Sequence, residues 1–183
     1  MTTLWLLSTL LLVGVLPMVP DTTAEVKTVG AVDLSRYVGD WYEVARFPNR
    51  FEGKCAADVM ASYRRQDGGT IEVINSCRKA DGTITIAKGG ARIVDRSTNA
   101  KLKVRFAPAF LSFIPLVWGD YWILGLDPRY RWAVVGSPDR NYLWVLSRSP
   151  MLDERDYAQA VDRVRASGFD VSRLERTKQT GQR

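Results

Sequence analysis

The chain has no histidine and only two cysteines, Cys55 and Cys77. Without histidine there is no Ser-His-Asp or Cys-His catalytic set and no imidazole metal site. Two cysteines are too few for the common zinc sites. No glycine-rich phosphate loop precedes a helical pattern, so the nucleotide-binding motifs are missing as well. Asp and Glu occur throughout, but no spacing singles out a catalytic carboxylate pair. These absences argue against an enzyme and against a metal or other cofactor.

Long apolar runs are equally scarce. The only one is Leu4–Leu16, an almost unbroken apolar stretch. It is shorter than the roughly 20 residues of a membrane span and fits the apolar region of a signal peptide. Thr22 and Ala24 are small and suit cleavage after Ala24. The expectation is therefore a signal segment at 1–24 and one domain at 25–183. An uncleaved anchor is the alternative. Export together with an even cysteine count suggests one disulfide, Cys55–Cys77, with two free thiols as the alternative.

The 183 residues carry a formal net charge of +6. Lys and Arg never run longer than two, which reads as a solvated basic surface and not as a nucleic-acid site. A basic balance also permits contact with an anionic lipid surface.

What is abundant is short apolar or aromatic segments between turns. The first is Tyr37–Phe47, with Trp41, Tyr42, Val44 and Phe47 suited to a pleated, half-buried surface. Further segments run from Ala57 to Arg65, Thr70 to Cys77, Thr83 to Val94, Ala100 to Phe106, Trp118 to Leu126, Arg131 to Ser137 and Tyr142 to Arg148. Asp67-Gly68-Gly69, Asp81-Gly82 and Asp127-Pro128 mark turns between them. Eight strands with hairpin-sized links predict an all-β, antiparallel, up-and-down barrel, which removes exposed edges. Its interior can hold side chains or one small ligand. A single helix is expected at about 153–167, capped by Asp153 and ended by Gly168. It should pack outside the barrel, because Tyr142–Leu146 is apolar at every position and needs cover on both faces. The charged tail from Arg173 has room for one more short strand.

Aromatics crowd the second half, between Phe106 and Trp144. An aromatic core is the simpler reading; an apolar ligand cavity with a few polar groups is the sharper one. Phe110, Leu111, Phe113, Ile114 and Leu116 fall in a proline-flanked loop. A cavity mouth, a membrane contact and a homodimer contact are the three uses open to it.

Three motifs resemble the signatures of lipocalins. Gly39-Asp40-Trp41 is similar to their Gly-x-Trp, Asp127-Pro128-Arg129-Tyr130 to their Asp-x-x-Tyr turn, and Arg148 to the arginine that ends the last barrel strand. The order and spacing also match, over about residues 33–175. Within the family, the run Arg140–Arg148 most resembles the bacterial outer-membrane and apolipoprotein D-like subgroup, and the cysteine pair resembles a pattern in some bacterial members. The resemblance implies a barrel closed at one end and open at the other, binding lipophilic molecules such as fatty acids or lysophospholipids. It implies that Gly39, Trp41, Asp127, Tyr130 and Arg148 are structural, with Arg148 lying across Trp41.

If Arg148 and Trp41 point inward, alternation sends Tyr142, Trp144 and Leu146 inward on the last strand, and Glu43 and Ala45 inward on the first. With Phe106, Trp122 and Leu124, the residues Glu43, Ala45, Tyr142 and Trp144 make up the expected ligand-binding set. Glu43 would need a partner or a raised pKa, or would meet a lipid head group. The subgroup's lipid-anchor cysteine has no counterpart before Cys55, so a periplasmic or membrane-associated protein without that anchor is expected. A filled-barrel interaction protein or dimer, and a lipocalin-type isomerase, are the competing functions.

Overall fold

The computed structural model describes residues 25–181; the expected signal segment at 1–24 lies outside them. Eight strands run in chain order. They are β1 (Gly39–Arg46), β2 (Ala57–Arg65), β3 (Ile71–Arg78), β4 (Ile84–Ile93), β5 (Lys101–Arg105), β6 (Gly119–Leu126), β7 (Trp132–Gly136) and β8 (Leu143–Ser147). Each pairs antiparallel with the next, and β1 pairs with both β2 and β8, which closes the barrel. The tail adds β9 (Glu175–Arg176) on β1.

Alternation sorts the side chains onto two faces. Trp41, Tyr63, Val73, Ala91, Leu102, Tyr121, Ile123, Val135 and Leu146 form one buried cluster inside the barrel. Val44, Leu124, Val134, Leu143 and Val145 form a second on the outer face, under α2 (Glu154–Ala166). The Asp153 side chain accepts from the Arg155 amide at the start of α2, and Gly168 at φ +78° lets the chain turn at its end. Ala160 and Val164 supply its apolar stripe. Gly125 lets the helix approach, because a Cβ there would lie 2.5 Å from the Arg163 side chain.

The end of the barrel near Trp41 is closed. A short helix, α1 (Leu34–Tyr37), crosses it, with Asp33 accepting from the Ser35 amide. Arg148 binds the whole corner. Its guanidinium carbon sits 3.9 Å from the centre of the Trp41 ring. Its Nη2 donates to the carbonyls of Arg36, Tyr37 and Val38, and Nη1 to that of Asp40. The Trp41 indole donates to the Tyr37 carbonyl at 2.8 Å. Gly39 has φ +97°, and a Cβ there would meet Arg148 Nη1 at 3.3 Å, so both backbone and space favour glycine. At the neighbouring turn Asp127 accepts from the Arg129 and Arg131 amides and from the Arg131 side chain, which also reaches Asp156 of α2. The Tyr130 hydroxyl accepts from the Asp33 amide at 2.8 Å. The sequence pattern missed α1, since four residues are too short for a periodic signal.

Cys55 and Cys77 are bonded, with their Cα atoms 5.5 Å apart. The chain before β2 folds back beside the end of β3, since the Ala56 amide donates to the Arg78 carbonyl.

Trp41→Ala is expected to destabilise the protein by about 3–5 kcal/mol, the usual loss for a buried large aromatic. Arg148→Lys, which keeps the charge but not the fork of donors, is expected to lose about 1–2 kcal/mol. Urea denaturation followed by circular dichroism measures both. Replacing both cysteines by serine reopens the loop that the disulfide closes, and should lower stability by up to about 3 kcal/mol in the same assay.

Candidate functional site

Inside the barrel, exposure rises from the closed end to the open end. On β4 the inward row runs from buried Ala91 through half-buried Gly89 to exposed Ala87 and Thr85. On β5 it runs from buried Leu102 through half-buried Val104 to Phe106, just past the strand end and 43% exposed. On β8 it runs from Leu146 to the half-buried Trp144. The interior is therefore a cup whose floor is solid and whose mouth reaches solvent.

The floor is built from three tyrosines. The Tyr121 hydroxyl lies 2.8 Å from that of Tyr37 and 2.9 Å from that of Tyr63, so the three satisfy one another. Burial pushes Tyr63 up to about 12 and Tyr37 and Tyr121 well above the usual tyrosine value, so all three stay neutral. Above the floor the wall carries small side chains, Ala61 and Gly89 among them, and Asn75, whose buried Oδ1 has no hydrogen-bond partner.

One side of the wall is polar. Glu43, on β1 opposite Leu146, is 2% exposed. Its Oε1 accepts from Arg46 Nη1 at 3.0 Å and from the Thr177 hydroxyl. Arg46 Nε lies 3.1 Å from Glu52 Oε2, an ion pair whose angle falls short of a hydrogen bond. Glu52 Oε1 accepts from the Trp144 indole at 2.9 Å. Trp144 stacks on Tyr142 with an interplanar angle of 7°, and Phe51 packs on the other ring of that pair at 5.4 Å. Two carboxylates, one guanidinium and an aromatic stack thus meet on one side of the mouth. The tail laces this side: Gln179 Nε2 donates to the carbonyls of both Glu43 and Val59, joining β1 and β2 where they part.

The expected ligand-binding residues divide. Glu43, Tyr142, Trp144 and Phe106 lie on the inner side, at or near the mouth. Ala45, Trp122 and Leu124 do not. A register shift between Glu43 and Ala45 puts both Val44 and Ala45 in the outer cluster and returns Arg46 to the inside. On β6 the inward residues are Tyr121 and Ile123, so Trp122 faces out, 4.3 Å from the Lys101 ammonium. Leu124 is fully buried beneath the helix. Arg46, Glu52, Asn75, Thr177 and Gln179 carry no motif that marks them. Glu43 and Arg46 are three apart, a spacing that opposes two side chains on a regular strand.

Burial first, then the neighbouring Glu52 carboxylate, push the Glu43 carboxyl up to about 8 from 4.5. Between those values the folded protein holds a proton that the unfolded chain releases. This contribution to stability therefore falls as pH rises through the window. Glu43→Gln keeps an acceptor for Thr177 and removes the titration. Its thermal midpoint is expected to exceed that of the wild type by several degrees near pH 8.5 and to converge with it as pH falls towards 4.5. Thermal melts across pH measure the difference.

Comparison with known proteins agrees with this architecture. The family described as Lipocalin-like domain matches residues 32–179. The chain is 42% identical over 158 residues to temperature-induced lipocalin-1 of Arabidopsis thaliana, covering 85% of this chain and 84% of that one. It is 37% identical over 163 residues to outer membrane lipoprotein Blc of Escherichia coli, covering 88% of each. Mouse apolipoprotein D is 32% identical over 155 residues, covering 80% and 77%. Among solved structures, lobster apocrustacyanin A1 superposes with a TM-score of 0.65 at 17% identity, covering 88% of this chain and 93% of that one. Insecticyanin of Manduca sexta gives a TM-score of 0.65 at 23% identity, covering 85% of each. With the Trp41–Arg148 closure, the eight-stranded barrel and the outer helix in place, the chain belongs to the lipocalin family.

Proposed function

We propose that the protein binds a fatty acid or a lysophospholipid in the cup and acts in lipid storage, transport or repair of a bacterial cell envelope. The observation that carries this reading is the graded interior, closed at Trp41 and accessible at Ala87 and Phe106. Lipocalins bind small hydrophobic ligands, and the names of the Blc relatives place those proteins at an outer membrane. An acyl chain entering the mouth gains about 0.8 kcal/mol per buried CH₂, enough for micromolar binding after association costs. The polar side of the mouth then meets the head group. Asn75 offers a buried acceptor, and Arg46 and Glu52 offer charges of both signs. Export through the 1–24 segment, without a lipid-anchor cysteine, belongs to the same reading.

Binding without catalysis fits the chemistry present. The sequence has no histidine, and the Cys55–Cys77 bond removes the thiolate that a cysteine-based isomerase would use.

Tryptophan fluorescence tests the reading. Titration with a long-chain fatty acid is expected to give saturable quenching that survives Trp122→Phe and is largely lost in Trp144→Phe. Ala87→Trp, which places bulk across the mouth, should weaken binding at least tenfold while the thermal midpoint stays near that of the wild type. No saturable response from the folded wild-type protein would overturn the proposal. Native mass spectrometry with extraction of bound lipid identifies what the protein carries.

A further inference from the structure

The outer wall of β4 and β5 is strongly basic. Because Ala91, Ile93, Leu102 and Val104 turn towards the interior, Lys88, Arg92, Lys101, Lys103 and Arg105 turn outward. Two carboxylates face the same area. Asp120 on β6 pairs with Lys103 at 2.9 Å, and Glu72 on β3 lies beside Gly90. The excess is positive. Two indoles lie between the cations: Arg92 and Arg105 sit 4.3 and 5.2 Å from the Trp118 ring, and Lys101 sits 4.3 Å from that of Trp122.

This basic wall runs without a break into an apolar edge. The outward row of β4 reads Ile84, Ile86, Lys88, Gly90, Arg92, and the two isoleucines are 50% and 61% exposed. Beside them the 106–118 connection holds Phe110, Phe113 and Leu116 at 74%, 78% and 93% exposure. The two parts share surface. One groove is lined by Lys88, Arg105, Phe106 and Pro108, and another by Arg92, Arg105, Ser112 and Trp118. The Trp118 indole donates to the Ser112 carbonyl at 2.8 Å, which ties the connection to the basic wall.

We propose that this face docks on an anionic lipid bilayer. Phe110, Phe113, Leu116, Ile84 and Ile86 enter the boundary between head groups and acyl chains. Lys88, Arg92, Lys101, Lys103 and Arg105 lie at the depth of the phosphates and acidic head groups. Apolar insertion and basic attraction are two separate signals, the combination that stable peripheral binding needs. A soluble polyanion would satisfy the cations and leave the phenylalanines in water. A second copy would bring one basic wall against another. Only a bilayer offers both environments in the right order. Docking in this way turns the mouth of the cup towards the membrane, and it does not rest on ligand binding in the cup.

Co-sedimentation of the full chain with vesicles tests the proposal. The apolar run at 4–16 is common to every variant, so differences between variants report this face. The vesicles are phosphatidylcholine alone, or phosphatidylcholine with about one third phosphatidylglycerol. The wild type is expected to bind the anionic vesicles at least tenfold more tightly, with release in high salt. Lys88→Glu with Arg92→Glu should lose most of that preference. Phe110→Ser with Phe113→Ser and Leu116→Ser should weaken binding at least fivefold; these positions are exposed, so the thermal midpoint should hold. Equal binding to both vesicle types, or variants that bind as the wild type does, would overturn the proposal. Tighter binding to a single-stranded oligonucleotide, lost in the charge variant and kept in the Phe/Leu variant, would assign the basic wall to a polyanion instead.

Discussion

The structure depends on the seating of Arg148 against Trp41. A barrel of eight short strands has to be sealed where its first and last strands meet, and β1 and β8 are those strands. One guanidinium covers an indole face and donates to the carbonyls of three consecutive residues at the end of α1, plus that of Asp40. Such a group costs free energy to desolvate, and the carbonyls and the ring quadrupole offset that cost only while all of them are in place. Helix, first strand and last strand are thereby locked together. With one end fixed, the opposite end can stay open, and the interior becomes a cup instead of a packed core throughout.

Register shifts decide what the cup displays. On β1 one extra residue sends Val44 and Ala45 outward together and brings Arg46 back inside, where it meets Glu43 and Glu52. On β6 a second shift places Leu124 and Gly125 on the helix side and returns Leu126 to the interior. Both shifts serve packing under α2, and the first also sets the polarity of the mouth. The raised Glu43 carboxyl follows from the first of them, since it combines burial with a second carboxylate nearby.

The two ends of the molecule differ in surface as well as in closure. Among the described residues, seven of the nine exposed large apolar side chains belong to the loops and strand ends around the mouth or to the outer edge of β4. The closed end carries Asp127 and Asp156 around Arg131, while the mouth adds the Glu43–Arg46–Glu52 ion pairs to its apolar rim. A lipid carrier whose mouth faces a bilayer and whose floor faces water would have this polarity.

Much of the fold was legible in the sequence, because strands, turns and the capped helix are local. Gly68, Gly82 and Gly168 have positive φ where turns and a helix end were expected. Asp153 caps α2 as its position indicated. Trp41, Tyr130 and Arg148 were identifiable as structural because their motifs are short and ordered. The candidate site was less legible. Glu43, Tyr142 and Trp144 follow from alternation, which holds where a strand is regular. Ala45 and Trp122 were misplaced, one because a bulge breaks the period and one because the inward phase of β6 belongs to Tyr121 and Ile123. The tyrosine floor and the lacing of Thr177 and Gln179 onto Glu43 join residues distant in the chain, and no local pattern encodes such pairs. The sequence by itself determined the strand count and the helix cap, because each rests on neighbouring residues, while the sealing pair came from its resemblance to lipocalin motifs. Only the tertiary structure decided which side chains face the cup and what charge they carry, because facing depends on register and charge on burial among distant neighbours.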